Sequence, residues 1–211
     1  MSTEYIWFKG GKESKRTADP KGEKPTLVKS GNGREIKYSY HYDMEADYDQ
    51  RIIGASSETH LLNGEKDREG GKPAFIAYDV HGKVLHRAMW EGGVKQLVEW
   101  LYEDGGIYWS KYYTNGELHR EGDKPAQIYY YFSGEIRNET WYDVEGAEHR
   151  DDDKPAFISY FKDGSVNQKR WYNHGNMHRG DDQPAVITYD IDGNVEKELY
   201  VYDGEVYTPQ K

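Results

Sequence analysis

The chain contains no cysteine. Disulfides, thiolate zinc sites and cysteine nucleophiles are thereby excluded, and a reducing cytosol suits the composition. Long apolar runs are also missing. Nothing approaches the roughly 20 residues of a membrane span, and residues 1–15 hold no apolar core of signal-peptide length. The expected location is cytoplasmic, away from membranes. Basic residues are in deficit, with 28 Lys and Arg against 38 Asp and Glu and a net charge of −10. Such a surface repels nucleic acid phosphates and would attract a basic protein partner. Catalytic signatures are absent too. There is no His-Glu-x-x-His, no Gly-x-Ser-x-Gly, no P-loop or dinucleotide glycine spacing, and no EF-hand ligand spacing. No catalytic residue, metal site or cofactor is expected.

What is present is aromatic. Hydrophobic residues make up only 36% of the chain and the mean hydropathy is −1.05, which approaches the disordered range. Yet aromatics reach 15%, with 20 Tyr and 6 Trp, whereas disordered chains are depleted in them. A thin sheet reconciles the two, since amphipathic Tyr and Trp serve a buried and a wet face alike.

The aromatics recur with a period. HREGDKPAQIYYYFSG (119–134), HRDDDKPAFISYFKDG (149–164) and HRGDDQPAVITYDIDG (178–193) align without gaps on Pro125, Pro155 and Pro184. A fourth copy, DREGGKPAFIAYDVHG, surrounds Pro73, and a faint fifth surrounds Pro25. Proline opens a strand where its missing N–H does least harm. Side chains then alternate, so Ala126, Ile128 and Tyr130 share one face with their equivalents in each copy. That constant face is expected to be core. The opposite, variable face carries Phe75, Gln127, Phe157 and Val186. Ser133-Gly134, Asp163-Gly164, Asp192-Gly193 and His81-Gly82 are hairpin turns, because Gly tolerates positive φ. A more polar strand follows and ends in an aromatic pair such as Trp141-Tyr142 or Trp171-Tyr172. The expected fold is all-β, an antiparallel meander of ~30-residue β-hairpin repeats in which stacking buries a face that single hairpins leave open.

Pro73 and Pro125 stand 52 residues apart, well beyond one repeat. Within the excess, Val94, Leu97, Val98 and Leu101 fall at i, i+3, i+4 and i+7, which predicts one short inserted α-helix over 92–105, bounded by glycines. It would either cap the sheet or present Trp100 and Tyr102 to a partner. The organisation is therefore read as an irregular N-terminal segment with a degenerate repeat, 1–60, and a repeat domain, 61–211. In the first segment Tyr38, Tyr40 and Tyr42 alternate as in a strand, Lys9–Lys24 reads as loop, and Met44–Glu58 fits a short helix or a loop.

The residues Trp141, Tyr142, Gly146, His149, Arg150, Asp153, Pro155, Ala156, Ile158, Tyr160 and Gly164 resemble the unit of a MORN-repeat-variant group found in bacterial and phage proteins. The resemblance covers roughly residues 60–211. Lys72, Lys124, Lys154 and Gln183 depart from it, standing where that group usually has Gly. It implies β-hairpin repeats and a binding scaffold, some of whose members act as antitoxins or immunity proteins.

Two residue sets stand out. His119, Arg120 and Asp123, then His149, Arg150 and Asp153, then His178, Arg179 and Asp182 recur once per repeat. A catalytic site needs one unequal constellation, so these are read as structural. Phe75, Trp100, Tyr102, Tyr129, Tyr131, Phe157 and Phe161, with the loop acids Asp151, Asp152 and Asp181, are the candidate partner-binding residues. The expected function is that of an acidic, non-enzymatic protein that binds and neutralises a basic protein partner such as a bacterial toxin. A phage anti-defence protein sequestering a host immune protein or a signalling nucleotide is the alternative, with Arg68, Arg120, Arg150 and Arg179 as nucleotide ligands. A structural or assembly repeat protein is the third reading.

Overall fold

The structure, a computed structural model, describes residues 4–9, 12–17, 27–30, 34–42, 52–180, 182–202 and 204–208. The chain forms two compact units, residues 1–105 and 106–211.

In the first unit the strands are β1 (Glu4–Lys9), β2 (Lys12–Thr17), β3 (Leu27–Ser30), β4 (Arg34–Tyr42), β5 (Ile52–Leu62), β6 (Glu65–Lys66), β7 (Phe75–Tyr78), β8 (Val84–Glu91) and β9 (Val94–Leu101). They pair antiparallel in the order β2-β1-β3-β4-β5-β7-β8-β9, with β6 folded back on the end of β5. Part of the stretch read as loop, Lys12–Thr17, is thus a strand. The segment left between helix and loop is strand from Ile52 onward, and residues 43–51 lie outside the described residues.

The second unit holds β10 (Ile107–Thr114), β11 (Glu117–Leu118), β12 (Gln127–Tyr130), β13 (Ile136–Thr140), β14 (Phe157–Tyr160), β15 (Val166–Arg170), β16 (Tyr172–Asn173), β17 (Asn176–Met177), β18 (Val186–Tyr189), β19 (Val195–Tyr202) and β20 (Glu205–Tyr207). Its sheet runs β10-β12-β13-β14-β15-β18-β19-β20. The small hairpin β16–β17 stands apart from it. The expected antiparallel meander is therefore present, and the chain is all-β.

The expected helix is not. Among the described residues no helix occurs, and 94–101 is strand β9, paired with β8 through Ala88↔Val98 and Met89↔Leu97. The reason lies in Gly92 and Gly93, whose φ values of +54° and +78° make a two-residue hairpin turn. Glycines that would bound a helix here reverse a strand instead. Val94 and Val98 are β-branched, and the helical spacing of four apolar residues coincides with a strand that carries apolar side chains on both faces.

Each repeat hairpin carries the same irregularity. The register shifts at Ala77/Tyr78, Tyr129/Tyr130, Ser159/Tyr160 and Thr188/Tyr189, so the second strand bulges at Leu85, Arg137, Asn167 and Glu196. Asx turns close the loops. Asp79 Oδ1 accepts the amides of His81 (2.8 Å) and Lys83 (2.9 Å), and Asp190 Oδ1 those of Asp192 (3.0 Å) and Asn194 (2.8 Å).

Burial concentrates at one end of each hairpin. Ala74, Ala126, Ala156 and Ala185 are fully enclosed, while Ile128, Trp141 and Trp171 are nearly so. The backbone explains the alanines. Their carbonyls accept the amides of His60 (2.7 Å), Tyr112 (2.7 Å), Trp141 (2.8 Å) and Trp171 (2.9 Å), so each is tied into the neighbouring strand. Burying an indole of roughly 200 Å² contributes on the order of 5 kcal/mol before entropy is counted. Beyond this end the expected contrast between a buried constant face and a wet variable face fades. Ile76, Ile158, Ile187 and the repeat tyrosines are half-buried, and so are Phe75, Gln127, Phe157 and Val186 on the opposite face. Charged residues, moreover, share the constant face: Glu139 stands opposite both Ile128 and Ile158, and Lys169 opposite both Ile158 and Ile187.

Candidate partner-binding surface

Two of the recurrent arginines are paired with recurrent aspartates, and the other members of the sets contact tyrosines and backbone carbonyls. Arg150 donates to Asp123 of the preceding repeat, Nε to Oδ1 at 2.7 Å and Nη2 to Oδ2 at 3.2 Å. Arg179 repeats this on Asp153, at 2.9 and 2.7 Å. Each guanidinium also stacks on an aromatic ring: Arg150 on Trp141 (3.8 Å), Arg179 on Trp171 (3.9 Å) and Arg120 on Tyr112 (3.6 Å). The indole N–H groups of Trp141 and Trp171 donate to the carbonyls of Asp123 (3.2 Å) and Asp153 (2.9 Å).

The aspartates have left-handed backbone, φ +53° at Asp123, +51° at Asp153 and +53° at Asp182. The equivalent position in the earlier copy is Gly71, φ +65°. Asp tolerates this region better than most side chains, and here it adds a carboxylate where an arginine follows. His119 Nδ1 lies 2.7 Å from the Tyr142 carbonyl and His149 Nδ1 3.3 Å from that of Tyr172, contacts that require a proton on Nδ1. His178 meets the edge of Tyr202 at 5.2 Å, and Asp182 accepts from the Tyr207 hydroxyl at 3.2 Å.

The electrostatics fit this arrangement. Arg150, and then Lys154, hold the Asp123 carboxyl at about 2, and Arg179 holds that of Asp153 below its ordinary range. These carboxylates are ionised and engaged, which leaves them poor proton acceptors at neutral pH. Each arginine sits on its own aromatic ring, while Arg120 and Arg150 line one shallow cleft and Arg150 and Arg179 another.

The candidate partner-binding residues divide. In the first unit, Phe75 and Trp100 come together on one face with His86 between them. The ring centroids are 5.2 Å apart for Phe75–His86 and 4.8 Å for His86–Trp100, the latter pair nearly parallel. Trp100 remains 42% exposed. Its position on β9, opposite His86, replaces the expected place on a helix. Lys66 Nζ lies 5.6 Å from the Phe75 ring centroid and 4.6 Å from that of Trp90. Burial pushes the His86 imidazole below its ordinary value, favouring the neutral ring in the stack. Tyr102 lies past the strand end, its carbonyl accepting the Gly105 amide at 3.0 Å.

In the second unit Tyr129 faces Trp109 across the ladder and meets Tyr108 edge-on at 5.8 Å. Phe157 lies under the Arg170 guanidinium at 4.7 Å. Tyr131 and Phe161 belong to the hairpin turns, and the Tyr131 hydroxyl donates to the Tyr160 carbonyl of the next repeat at 2.8 Å. Around Phe157 the face is polar, with Gln168 donating to Thr188 Oγ1 at 3.0 Å. Asp151 and Asp152 are open to solvent, their side chains 90% and 77% exposed. Asp181 lies outside the described residues.

A cluster of which the sequence singled out only Arg68, as a nucleotide-ligand candidate, sits in the first unit. Glu58 Oε1 lies 3.3 Å from His60 Nε2 and 3.5 Å from Arg68 Nη1, and burial together with Glu58 pushes the Tyr78 hydroxyl up to about 12. His60 and Arg68 line a cleft of about 390 Å³ with Arg34, Asp67, Glu69 and Lys72. Only the unpaired look of DREGG against HREGD hinted that this copy differs. Among the described residues no group of three or more His, Asp or Glu side chains is placed to hold a metal ion.

No protein family matches the chain, and no curated protein does. A solved structure described as the crystal structure of a GtfA/B complex bound to UDP and GlcNAc is similar over 44% of this chain at 20% identity, with a TM-score of 0.27. The likeness spans 21% of that structure's chain, and at this TM-score it carries no argument about fold or activity.

Proposed function

We propose that the chain is a non-enzymatic, acidic, MORN-like repeat protein that binds and neutralises a basic protein partner, in its concrete form a cytoplasmic immunity protein or antitoxin against a bacterial toxin. The observation that carries the reading is the Phe75–His86–Trp100 stack, an aromatic patch left 42% open at Trp100 on a protein of net charge −10. Aromatic anchors supply contact energy while surface acids such as Asp151 and Asp152 steer a cationic partner. The recurrent His-Arg-Asp sets support the same reading from the other side, being engaged in joining repeat to repeat. No helix among the described residues is long and apolar enough to cross a membrane.

The test is co-expression with the product of the neighbouring gene. The expected result is rescue of growth and co-purification, with Trp100→Ala weakening the complex at least about tenfold, as loss of an interface anchor does. Absence of both rescue and co-purification removes the proposal.

A further inference from the structure

The last long strand, β19, pairs along Val195–Leu199 with β18, while β20 covers only Tyr200–Tyr202. Among the described residues the outer edge of Val195–Leu199 therefore has no strand beside it. The equivalent strands β13 and β15 do. Each accepts the next repeat's Pro-Ala-x-Ile-x-Tyr strand in one register: Thr140↔Phe157, Glu139↔Ile158 and Asn138↔Ser159 in the first case, Arg170↔Val186, Lys169↔Ile187 and Gln168↔Thr188 in the second. By the same register Leu199, Glu198 and Lys197 form an acceptor of this type, with no strand beside it among the described residues.

The backbone faces the right way. Leu199 O accepts the Ala185 amide at 2.9 Å, which turns Leu199 inward, and alternation turns the N–H and C=O of Glu198 outward. Charged side chains commonly guard open edges. Here they do not bar pairing, because Glu139 and Lys169 hold the same position and are paired on both sides.

We propose that the outer edge of β19 accepts one extended strand from the protein partner, antiparallel, with a β-branched or aromatic residue opposite Leu199, an isoleucine-like residue opposite Glu198 and a hydroxyl residue opposite Lys197. A tyrosine two residues beyond the isoleucine completes the motif, since the Tyr160 hydroxyl donates to Glu139 Oε2 at 2.7 Å in the interior case. Main-chain bonds supply the affinity and the alternating side chains the selectivity. The inference deepens the protein-binding reading by naming the segment the partner would offer. Among the described residues the four strands of this motif, β7, β12, β14 and β18, are already paired on both sides, so a second folded copy offers none of these four.

The probe is a synthetic peptide of sequence KPAFISYFK, that of residues 154–162, titrated into the full chain by calorimetry and by amide shifts. A second peptide carries an N-methyl group on its isoleucine, which removes the edge-facing donor and leaves composition unchanged. Binding of the first, at least about tenfold weakening of the second, and shifts centred on Glu198 are expected. Glu198→Pro removes the outward N–H at an edge position where proline is tolerated, and is expected to abolish binding. Should that variant unfold, the N-methyl comparison on the unaltered chain still decides. Absence of binding, or equal binding of the two peptides, overturns the proposal. Peptide binding without toxin rescue would keep the edge site and remove the immunity reading, whereas rescue without peptide binding would do the reverse.

Discussion

Arg150 closes on Asp123, 27 residues earlier, with two hydrogen bonds of 2.7 and 3.2 Å. The aspartate does two things at once, taking a left-handed turn at φ +53° and presenting its carboxylate to the next repeat. Substitution separates them. Asp123→Gly keeps the turn and loses the pair, whereas Asp123→Ala loses the pair and strains the turn. Ala is expected to be less stable than Gly by ~0.5–1 kcal/mol, the reverse of their usual order. Urea unfolding of both variants checks this.

The indole N–H of Trp171 donates to the Asp153 carbonyl at 2.9 Å, and its ring supports Arg179 at 3.9 Å. Trp171→Phe keeps an aromatic platform and deletes the donor. The expected loss is ~1–2 kcal/mol, the lost hydrogen bond together with some lost packing. Trp171→Phe as stable as the parent would show that the ring, and not the N–H, is what matters.

The Asp123 carboxyl is held at about 2 by Arg150 and Lys154. A folded value below the unfolded one, about 3.9, stabilises the fold above that unfolded value. The contribution disappears as pH falls through the folded value. The stability difference between the parent and Asp123→Gly should therefore narrow from pH ~4 to pH ~2. The side chain is 45% exposed, so solvent screening keeps the electrostatic part to ~1 kcal/mol or less. Acid titrations at low and high salt would read the narrowing. A gap that stays constant to pH ~2 would mean the ion pair contributes nothing.

The hairpins were legible in the sequence because their signals are local. Period-two alternation in Pro-Ala-x-Ile-x-Tyr and the glycine at each turn both act within a few residues. Phe75 was legible as a face residue for the same reason. Trp100 was legible as a partner-binding candidate but not its meeting with His86, which depends on the register of β8 with β9, set by a two-glycine turn. The Arg150–Asp123 and Arg179–Asp153 pairs span 27 and 26 residues, beyond any local pattern, and only the repeat itself hinted at them. The extent of burial was illegible for a further reason. The same alternation describes a sheet with one covered face and one with both faces half open, and charged Glu139 and Lys169 on the constant face belong to the second kind.

The turn at Gly92-Gly93 offers the sharpest contrast between the helix that the spacing predicts and the strand that forms. Inside a helix, Gly→Ala is stabilising by up to ~1 kcal/mol. At a hairpin turn with φ +78° it is strained, and a Cβ on Gly93 would come 2.9 Å from Glu65 Oε2. The Glu65 carboxylate is the end of a flexible side chain and can move, so the backbone term dominates. Gly93→Ala should therefore destabilise the first unit by ~1–2 kcal/mol, and Gly92→Ala, at φ +54° with open space around it, by less. Far-ultraviolet circular dichroism should show no gain of helix in either variant. A stabilised Gly93→Ala with added helical signal would restore the helix and displace Trp100 from its stack on His86.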